Sequence, residues 1–370
     1  MSQTNSRISN TIMHASRFLF GLVFVFSGFV KAVDPLGMTY KLQDYFTALG
    51  GMFYSLSDNA LLLAITLSTI ELFIGLNLVF AIQIRRTAFL GLLFMLVMTP
   101  LTLWIALKNP VSDCGCFGDA LKISNWETFS KNIVLLALII AVLFTTRPHQ
   151  KFFILWVEWI AMVIFLSTGI GISTYAYNHL PQIDFLPYKK GVNIAEAIKI
   201  PENAPTDKYE TTFIYEKDGT QKEFSLDNYP KDDSTWVFVD QKTTLVEEGY
   251  KPPIHDFTIY NQQYEDIAPD IIATEGYTYL VVMYELNKAS IEGAQHVQKL
   301  FEKYENTNVR IYVLTASADE DIDAFVQKTK VTFPFYKSDP ITLKTIIRAN
   351  PGLVLIKNGT ITGKWHWRDF

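Results

Sequence analysis

The residues best suited to chemistry are two cysteines separated by one glycine. Cys114 and Cys116 are the only cysteines among 370 residues and lie in the run SDCGCFGD, which begins at residue 112. A disulfide needs Cα atoms about 4.4–6.8 Å apart, and residues i and i+2 reach that distance only in a bent chain. Gly115 permits the bend. Because strained disulfides are often the reactive ones, the pair is a candidate for thiol–disulfide exchange, although Asp113 and Asp119 are expected to raise the thiol pKa values.

Three other interpretations of the pair stay open. The cysteines could be a structural staple of a re-entrant turn, two unreactive thiols, or two ligands of a metal site. A metal site needs further ligands, and no histidine lies nearby. The six histidines of the chain form no H-E-x-x-H spacing, so the sequence predicts no metal. Phosphate-binding loops, G-x-S-x-G elbows and kinase motifs are also missing from the sequence.

The composition divides the chain into two halves. Charged residues make up 19% and hydrophobic residues 49%, whereas soluble domains average about 25% charged residues. Residues 1–177 carry a net charge of +3, and residues 178–370 carry −8. This pattern excludes a wholly soluble enzyme, a disordered chain and a collagen-like fibre. Since the acidic half has no basic run, it also predicts no nucleic-acid partner.

Five apolar stretches are long enough to cross a lipid bilayer. They lie at 18–33, 60–82, 88–107, 129–145 and 152–174, so residues 1–177 are predicted to form a membrane domain. A secretory signal peptide is the competing interpretation of the first stretch, but no A-x-A-like cleavage site follows it.

Basic residues mark the cytoplasmic side of a membrane protein. They occur at Arg7, Arg17, Arg85, Arg86 and in the stretch 147–151. The N-terminus is therefore expected in the cytoplasm. The cysteine loop and everything after residue 177 are expected on the outer side of the membrane.

The second half is predicted to contain a β-rich connector at 178–252 and an α/β domain at 253–370. In the connector we expect two hairpins, at 210–226 and 235–247, the first turning at Lys217-Asp218-Gly219. The α/β domain is predicted to have strands at 277–284, 309–314, 352–356 and 360–367, with helices at 291–304, 319–329 and 341–348.

This order of elements resembles the thioredoxin fold. Pro351 stands in the place of that fold's cis-proline, and the resemblance implies that it binds the client. The position of the Cys-x-x-Cys motif falls at 285–290, where this chain has no cysteine, so the domain is not expected to do dithiol chemistry alone. The sequence ends straight after the last predicted strand, where the fold usually adds a helix, so we expect a truncated or variant domain.

The membrane half resembles the DoxX/MauE group of bacterial redox-associated membrane proteins, over about 17–143. The resemblance rests on Asp34-Pro35, Glu71-x-x-x-Gly75, the DCGCFG run and a first-span motif of Arg17, Gly21, Ser27, Gly28 and Lys31. It implies a four-helix core, with the fifth helix outside it. It also implies disulfide handling in exported proteins or quinone-linked redox chemistry.

Two acids lie within the predicted spans, where a charge is costly. For Glu71, a contact with a quinone headgroup, a proton relay and an ion pair that fixes helix packing are all open. Glu158 is expected at the membrane interface, and Lys31 is expected to extend to the outer headgroups. No cofactor is certain, and quinone is the candidate.

The sequence thus predicts an α-helical membrane bundle, with a four-helix DoxX/MauE-like core and a fifth helix, followed by an α/β thioredoxin-like domain. The main functional hypothesis is disulfide exchange through Cys114 and Cys116 with an exported protein or a periplasmic thioredoxin-like partner. The alternative is a non-enzymatic, membrane-anchored binding or assembly module in which the cysteines only staple a turn.

Overall fold

Five long apolar helices form a bundle in the first half of this computed structural model. It describes residues 2–111, 113–146, 153–231, 233–247 and 249–370, and for residues 2–9 it describes the backbone alone. The five long helices are α1 (Ser2–Val33), α3 (Ala60–Val79), α4 (Ile84–Lys108), α5 (Asn125–Thr145) and α6 (Leu155–Asn178). A shorter helix α2 (Pro35–Leu49) and a 3-10 segment at Gly51–Asn59 lie between α1 and α3.

All helices except the short α2 contribute a stretch that is long and apolar enough to span a membrane. These stretches are Asn10–Val33, Gly51–Val79, Ile84–Lys108, Asn125–Thr145 and Leu155–Asn178. The prediction of five spans is confirmed, with helix ends that differ by a few residues. The basic stretch 147–151 and the side chain of Arg7, which contributed to the predicted orientation, lie outside the described residues.

Glycines set the tightest crossing in the bundle, between α1 and α3. A Cβ added at Gly28 would lie 2.4 Å from the backbone nitrogen of Leu72, and one added at Gly75 would lie 2.5 Å from that of Val25. Small residues let membrane helices approach this closely. The bundle core, which includes Phe20, Phe24, Ile74, Leu78 and Ile139, lies beside this crossing.

A separate three-stranded antiparallel sheet follows the bundle. It consists of β1 (Lys208–Lys217), β2 (Thr220–Ser225) and β3 (Val237–Glu247) in the order β2-β1-β3, after a short helix α7 (Ile194–Ala197). The first predicted hairpin is confirmed. The second is wrong, because 237–247 is one continuous strand that pairs with β1 over its length instead of folding on itself.

The C-terminal region is a five-stranded sheet with helices. Its elements are α8 (Ala268–Ala273), β4 (Tyr277–Val282), α9 (Ile291–Tyr304), β5 (Arg310–Thr315), α10 (Asp319–Thr329), β6 (Phe335–Lys337), α11 (Pro340–Ile346), β7 (Gly352–Lys357) and β8 (Thr360–His366). The strand order is β6-β5-β4-β7-β8. Strand β4 runs parallel to β5 and antiparallel to β7, and the Asn350–Pro351 peptide is cis. The helices expected at 291–304 and 319–329 are confirmed, while α8 and β6 were not expected.

The C-terminal region packs against the end of the bundle that carries the cysteine loop. The Tyr40 and Tyr284 hydroxyls lie 3.1 Å apart, and Arg348 pairs with both Asp34 and Asp119. The loop between α4 and α5 and the chain that follows α6 therefore lie on the same side of the bundle.

Candidate functional site

The two cysteines occupy a tight turn between α4 and α5. Gly115 has φ +64° and Gly118 has φ +52°, a left-handed conformation that glycine adopts without steric cost. The Gly115 N–H donates to the Asp113 carboxylate at 2.9 Å, and the Gly118 N–H donates to the Gly115 carbonyl at 3.0 Å. The turn leaves the two cysteine sulfurs 3.0 Å apart as free thiols.

Two hydroxyl groups of the membrane bundle hold this turn from beneath. Ser27 of α1 donates to the Cys116 carbonyl at 2.6 Å, and Tyr45 of α2 donates to the Cys114 carbonyl at 2.5 Å. Both cysteines are buried, at 7% and 8% exposure. Because each cysteine carbonyl has its own donor, the turn is fixed to two different helices.

The environment makes the two thiols unequal. The hydrogen bond from the Cys114 thiol lowers the pKa of Cys116 to about 6, against the opposing effect of burial, and the charges of Lys131 and Lys31 add to the lowering. The same hydrogen bond, together with burial, raises the pKa of Cys114. Cys116 is therefore the thiolate of the pair, which is the nucleophilic form of a thiol.

The sequence led us to expect that Asp113 and Asp119 would raise both thiol pKa values, and for Cys116 this is wrong. Asp113 is paired with Lys41 at 2.9 Å, and Asp119 is paired with Arg348 at 2.9 Å. Each acid is therefore paired with a cation, and the lowered pKa of Cys116 follows from the Cys114 hydrogen bond first and from the charges of Lys131 and Lys31 second.

Lys31 and Glu71 form a buried ion pair next to the cysteine turn, with side chains 6% and 7% exposed. The expectation that Lys31 extends to the outer headgroups is wrong, because its ammonium group turns inward to the Glu71 carboxylate. That carboxylate is thereby occupied and enclosed, so it does not fit a direct contact with a quinone headgroup. Of the open interpretations of Glu71, the ion pair is the one that this geometry favours.

The other residues of the first-span motif serve the packing of α1 on α3. The Arg17 guanidinium donates to the carbonyls of Leu78 and Val79 at the end of α3, where a positive charge stabilises a helix C-terminus. Gly21 faces the carbonyl of Gly75. The motif thus brings Ser27 and Lys31 to the cysteine turn at a fixed helix crossing.

Glu158, expected at the interface, lies in the first turn of α6 and is buried at 2% exposure. Its carboxylate accepts a hydrogen bond from Gln83, whose backbone is left-handed just before α4. The acid therefore joins the start of α6 to the start of α4.

Pro351 lies beside the segment 285–290, as predicted, but its side chain is buried. The amide of Asn350 donates to the Glu285 carbonyl at 2.8 Å, and the Ser290 N–H donates to the Asn350 carbonyl at 3.1 Å. Asn287 and Lys288 remain exposed at the tip of the segment. The exposed part of this face is therefore the tip of the segment and not Pro351, which was expected to bind the client.

A cavity of about 410 Å³ lies between the cysteine turn and the C-terminal region, beside their direct contact at Arg348 and Asp119. Gly115 and Asp119 line it from the turn, Lys41 lines it from α2, and Lys344 and Arg348 line it from the C-terminal side. The two cysteines lie behind these lining residues. Within the described ranges, no group of three or more His, Cys, Asp or Glu side chains is placed to hold a metal ion.

Sequence reasoning missed the partners that hold the turn. Tyr45 and Lys41 fall in a stretch expected to be a loop, although Asp34-Pro35 signals the start of a helix: the Asp34 carboxylate caps α2 by accepting from the Gly37 N–H. Arg348 lies 229 residues after Asp119, and no local pattern links the two.

These features define a multi-pass membrane protein with five candidate spans, a mixed α/β region at one end of the bundle, and a buried dithiol turn between the two.

A known protein family matches the membrane part of this architecture. Residues 9–145 match the family described as "Methylamine utilisation protein MauE", so this stretch is a MauE-family membrane region, as the motifs predicted. Residues 209–248, which span the three-stranded sheet, match "Domain of unknown function (DUF8463)". No curated protein is similar enough to match the chain.

Proposed function

We propose that this protein catalyses thiol–disulfide exchange on the outer side of a bacterial inner membrane through Cys114 and Cys116. The observation that carries the proposal is the pair itself: two free thiols 3.0 Å apart, one of which has a lowered pKa. A nucleophilic thiolate beside a second, resolving thiol is what two-step exchange requires.

The reaction balances without a further reagent. The Cys116 thiolate attacks one sulfur of a client disulfide, forms a mixed disulfide and releases one client thiolate, which takes up a proton. Cys114 then loses its proton and attacks the Cys116 sulfur, which releases the second client thiol. The protein's dithiol becomes a disulfide while the client disulfide becomes two thiols, and the reverse direction oxidises the client.

The proposed orientation places the N-terminus in the cytoplasm. The ion pair between Arg348 and Asp119 supports one part of this topology, because the contact requires the cysteine loop and the C-terminal region to be on the same side of the membrane. The two spans between them, α5 and α6, produce that arrangement. Since Arg85 and Arg86 lie at the other end of the bundle, the positive-inside rule places that end in the cytoplasm.

The C-terminal region is proposed to be a thioredoxin-like domain that binds rather than reacts. Its strand order β5-β4-β7-β8, with the first pair parallel and the others antiparallel, supports this assignment. The proposed partner is an exported protein or a periplasmic thioredoxin-like protein. Exposed Asn287 and Lys288 would provide the contact.

Trapping the mixed disulfide tests the proposal. In a Cys114→Ser variant Cys116 can attack a client but nothing resolves the product, so a covalent adduct accumulates and is identified by mass spectrometry after thiol blocking. The matched Cys116→Ser variant should trap far less, because Cys114 has the raised pKa. The proposal is wrong if neither variant traps a client and the wild-type pair exchanges with no disulfide.

The alternative function is a membrane-anchored binding or assembly module. The burial of both sulfurs behind a covered turn favours it. The double Cys114→Ser/Cys116→Ser variant separates the two functions. Loss of stability without loss of client oxidation supports the anchor, whereas loss of client oxidation in a stable protein supports exchange.

A further inference from the structure

The Arg348 side chain ties the C-terminal region to the cysteine turn through its ion pair with Asp119. It follows α11 and is buried at 6% exposure. Its Nε lies 3.0 and 3.1 Å from the two carboxylate oxygens of Asp34, its Nη2 lies 2.9 Å from Asp119, and its Nη1 donates to the Lys344 carbonyl at 2.6 Å. All three guanidinium nitrogens are therefore engaged.

The two acids that Arg348 binds belong to different parts of the membrane half. Asp34 joins α1 to α2 and caps α2, whereas Asp119 lies three residues after Cys116 in the same turn. A planar guanidinium can hold two carboxylates at fixed directions, which a lysine ammonium cannot. Removing it would leave two partly buried carboxylates, 15% and 28% exposed, without the cation that they share, which is unfavourable.

We propose that Arg348 is a positioning residue for the cysteine pair, and that it holds the C-terminal region over the turn so that a client reaches Cys116 only when this contact opens. The inference rests on the proposed exchange function. The Tyr40–Tyr284 contact at 3.1 Å and the Lys344 ammonium 4.7 Å from the Tyr40 ring lie beside Arg348, so the same small interface closes around it.

The test measures how fast a membrane-impermeant maleimide labels Cys116 in reduced, full-length protein in native membranes. Arg348→Gln and Asp119→Asn should each raise the labelling rate at least about tenfold, because each breaks the same buried ion pair. The double variant should label no faster than the faster single variant, since the two residues act through one contact. Arg348→Lys should restore part of the protection.

The matched control is Arg310→Gln, which removes an arginine from the same region but one that is exposed and bonded to Thr274. It should leave labelling unchanged. The inference is overturned if Arg348→Gln and Asp119→Asn label at the wild-type rate, if their effects add, or if Arg310→Gln has the same effect. Should Arg348→Gln fail to fold, Asp119→Asn and Arg348→Lys carry the test.

A second measurement distinguishes failure of this inference from failure of the proposed function. The same membranes are incubated with 2-hydroxyethyl disulfide, and oxidation of the pair is followed by mass tagging. Faster labelling without any oxidation would keep Arg348 as a positioning residue while refuting exchange. Oxidation with unchanged labelling would do the reverse.

Discussion

At the scale of single residues, the surroundings of the turn give two chemically identical thiols different pKa values. Cys116 lies near Lys131 and Lys31 and accepts the hydrogen bond of its neighbour, whereas Cys114 donates that bond. The sequence shows the pair and its glycine but not this asymmetry, which depends on cations contributed by α1 and α5. The predicted influence of the adjacent acids failed for the same reason: their counter-ions are distant in the chain.

The pH dependence of alkylation should report this asymmetry. In Cys114→Ser the serine hydroxyl still donates to Cys116, so the alkylation rate of Cys116 should fall only as the pH drops through about 6. In Cys114→Ala that donor is lost, and the fall should move toward the ordinary thiol pKa of about 8.5. Iodoacetamide rates between pH 5 and 9, followed by mass spectrometry, measure both. Identical profiles would refute the hydrogen bond.

The Lys31–Glu71 pair makes a second prediction for single residues. Glu71→Gln or Lys31→Met leaves one buried charge unpaired and should cost about 3–5 kcal/mol of stability. Replacing both residues by apolar ones should cost less than either single change. Lys41→Met, which breaks the more exposed pair with Asp113, should cost at most about 1 kcal/mol. Thermal unfolding in detergent compares the four variants.

At the scale of elements, the sequence predicted the helices and membrane spans that a local residue pattern determines. The helix at 291–304 follows an amphipathic repeat and begins with a Ser290 cap, and the spans follow from continuous apolar runs. Helix α2 was missed because its mixture of polar and apolar residues is typical of a loop. The false second hairpin arose because 235–247 contains a polar centre, although in the sheet that centre pairs with β1.

The crossing of α1 and α3 is the element contact on which the site depends. Gly28→Ala places a methyl group against the Leu72 backbone, so the helices must separate, and we expect a loss of about 1–3 kcal/mol. Gly171→Ala, on α6, has open space at its Cβ position and should be neutral. Both variants are assayed by thermal unfolding, and equal melting temperatures would contradict the crossing geometry.

At the scale of the whole molecule, the site is formed by two halves of the chain that are distant in sequence and come into contact in the structure. The membrane half contributes the thiols. The C-terminal half contributes Arg348 and Lys344, which line the cavity on the side opposite the cysteine turn. The bundle and the α/β region could be predicted separately because each has its own composition. Their contact could not, since it rests on a few charged and aromatic side chains with no shared sequence pattern.

This arrangement predicts the topology of the protein in the membrane. An alkaline phosphatase fused after residue 370 should be active in the periplasm, because this enzyme requires oxidising conditions to form its disulfides. The same reporter fused after residue 86, in the basic loop, should be inactive. Activity at both positions, or at neither, would contradict an odd number of spans between them.

The measurement that tests the central claim most directly is a redox titration of Cys114 and Cys116 in native membranes. Membranes are equilibrated across a series of thiol buffers, and free thiols are tagged with a maleimide mass label after denaturation. The account predicts reversible interconversion of dithiol and disulfide with a midpoint between about −120 and −270 mV, the range of working thiol–disulfide pairs. A pair that stays oxidised under strong reductant, or never oxidises, would contradict it.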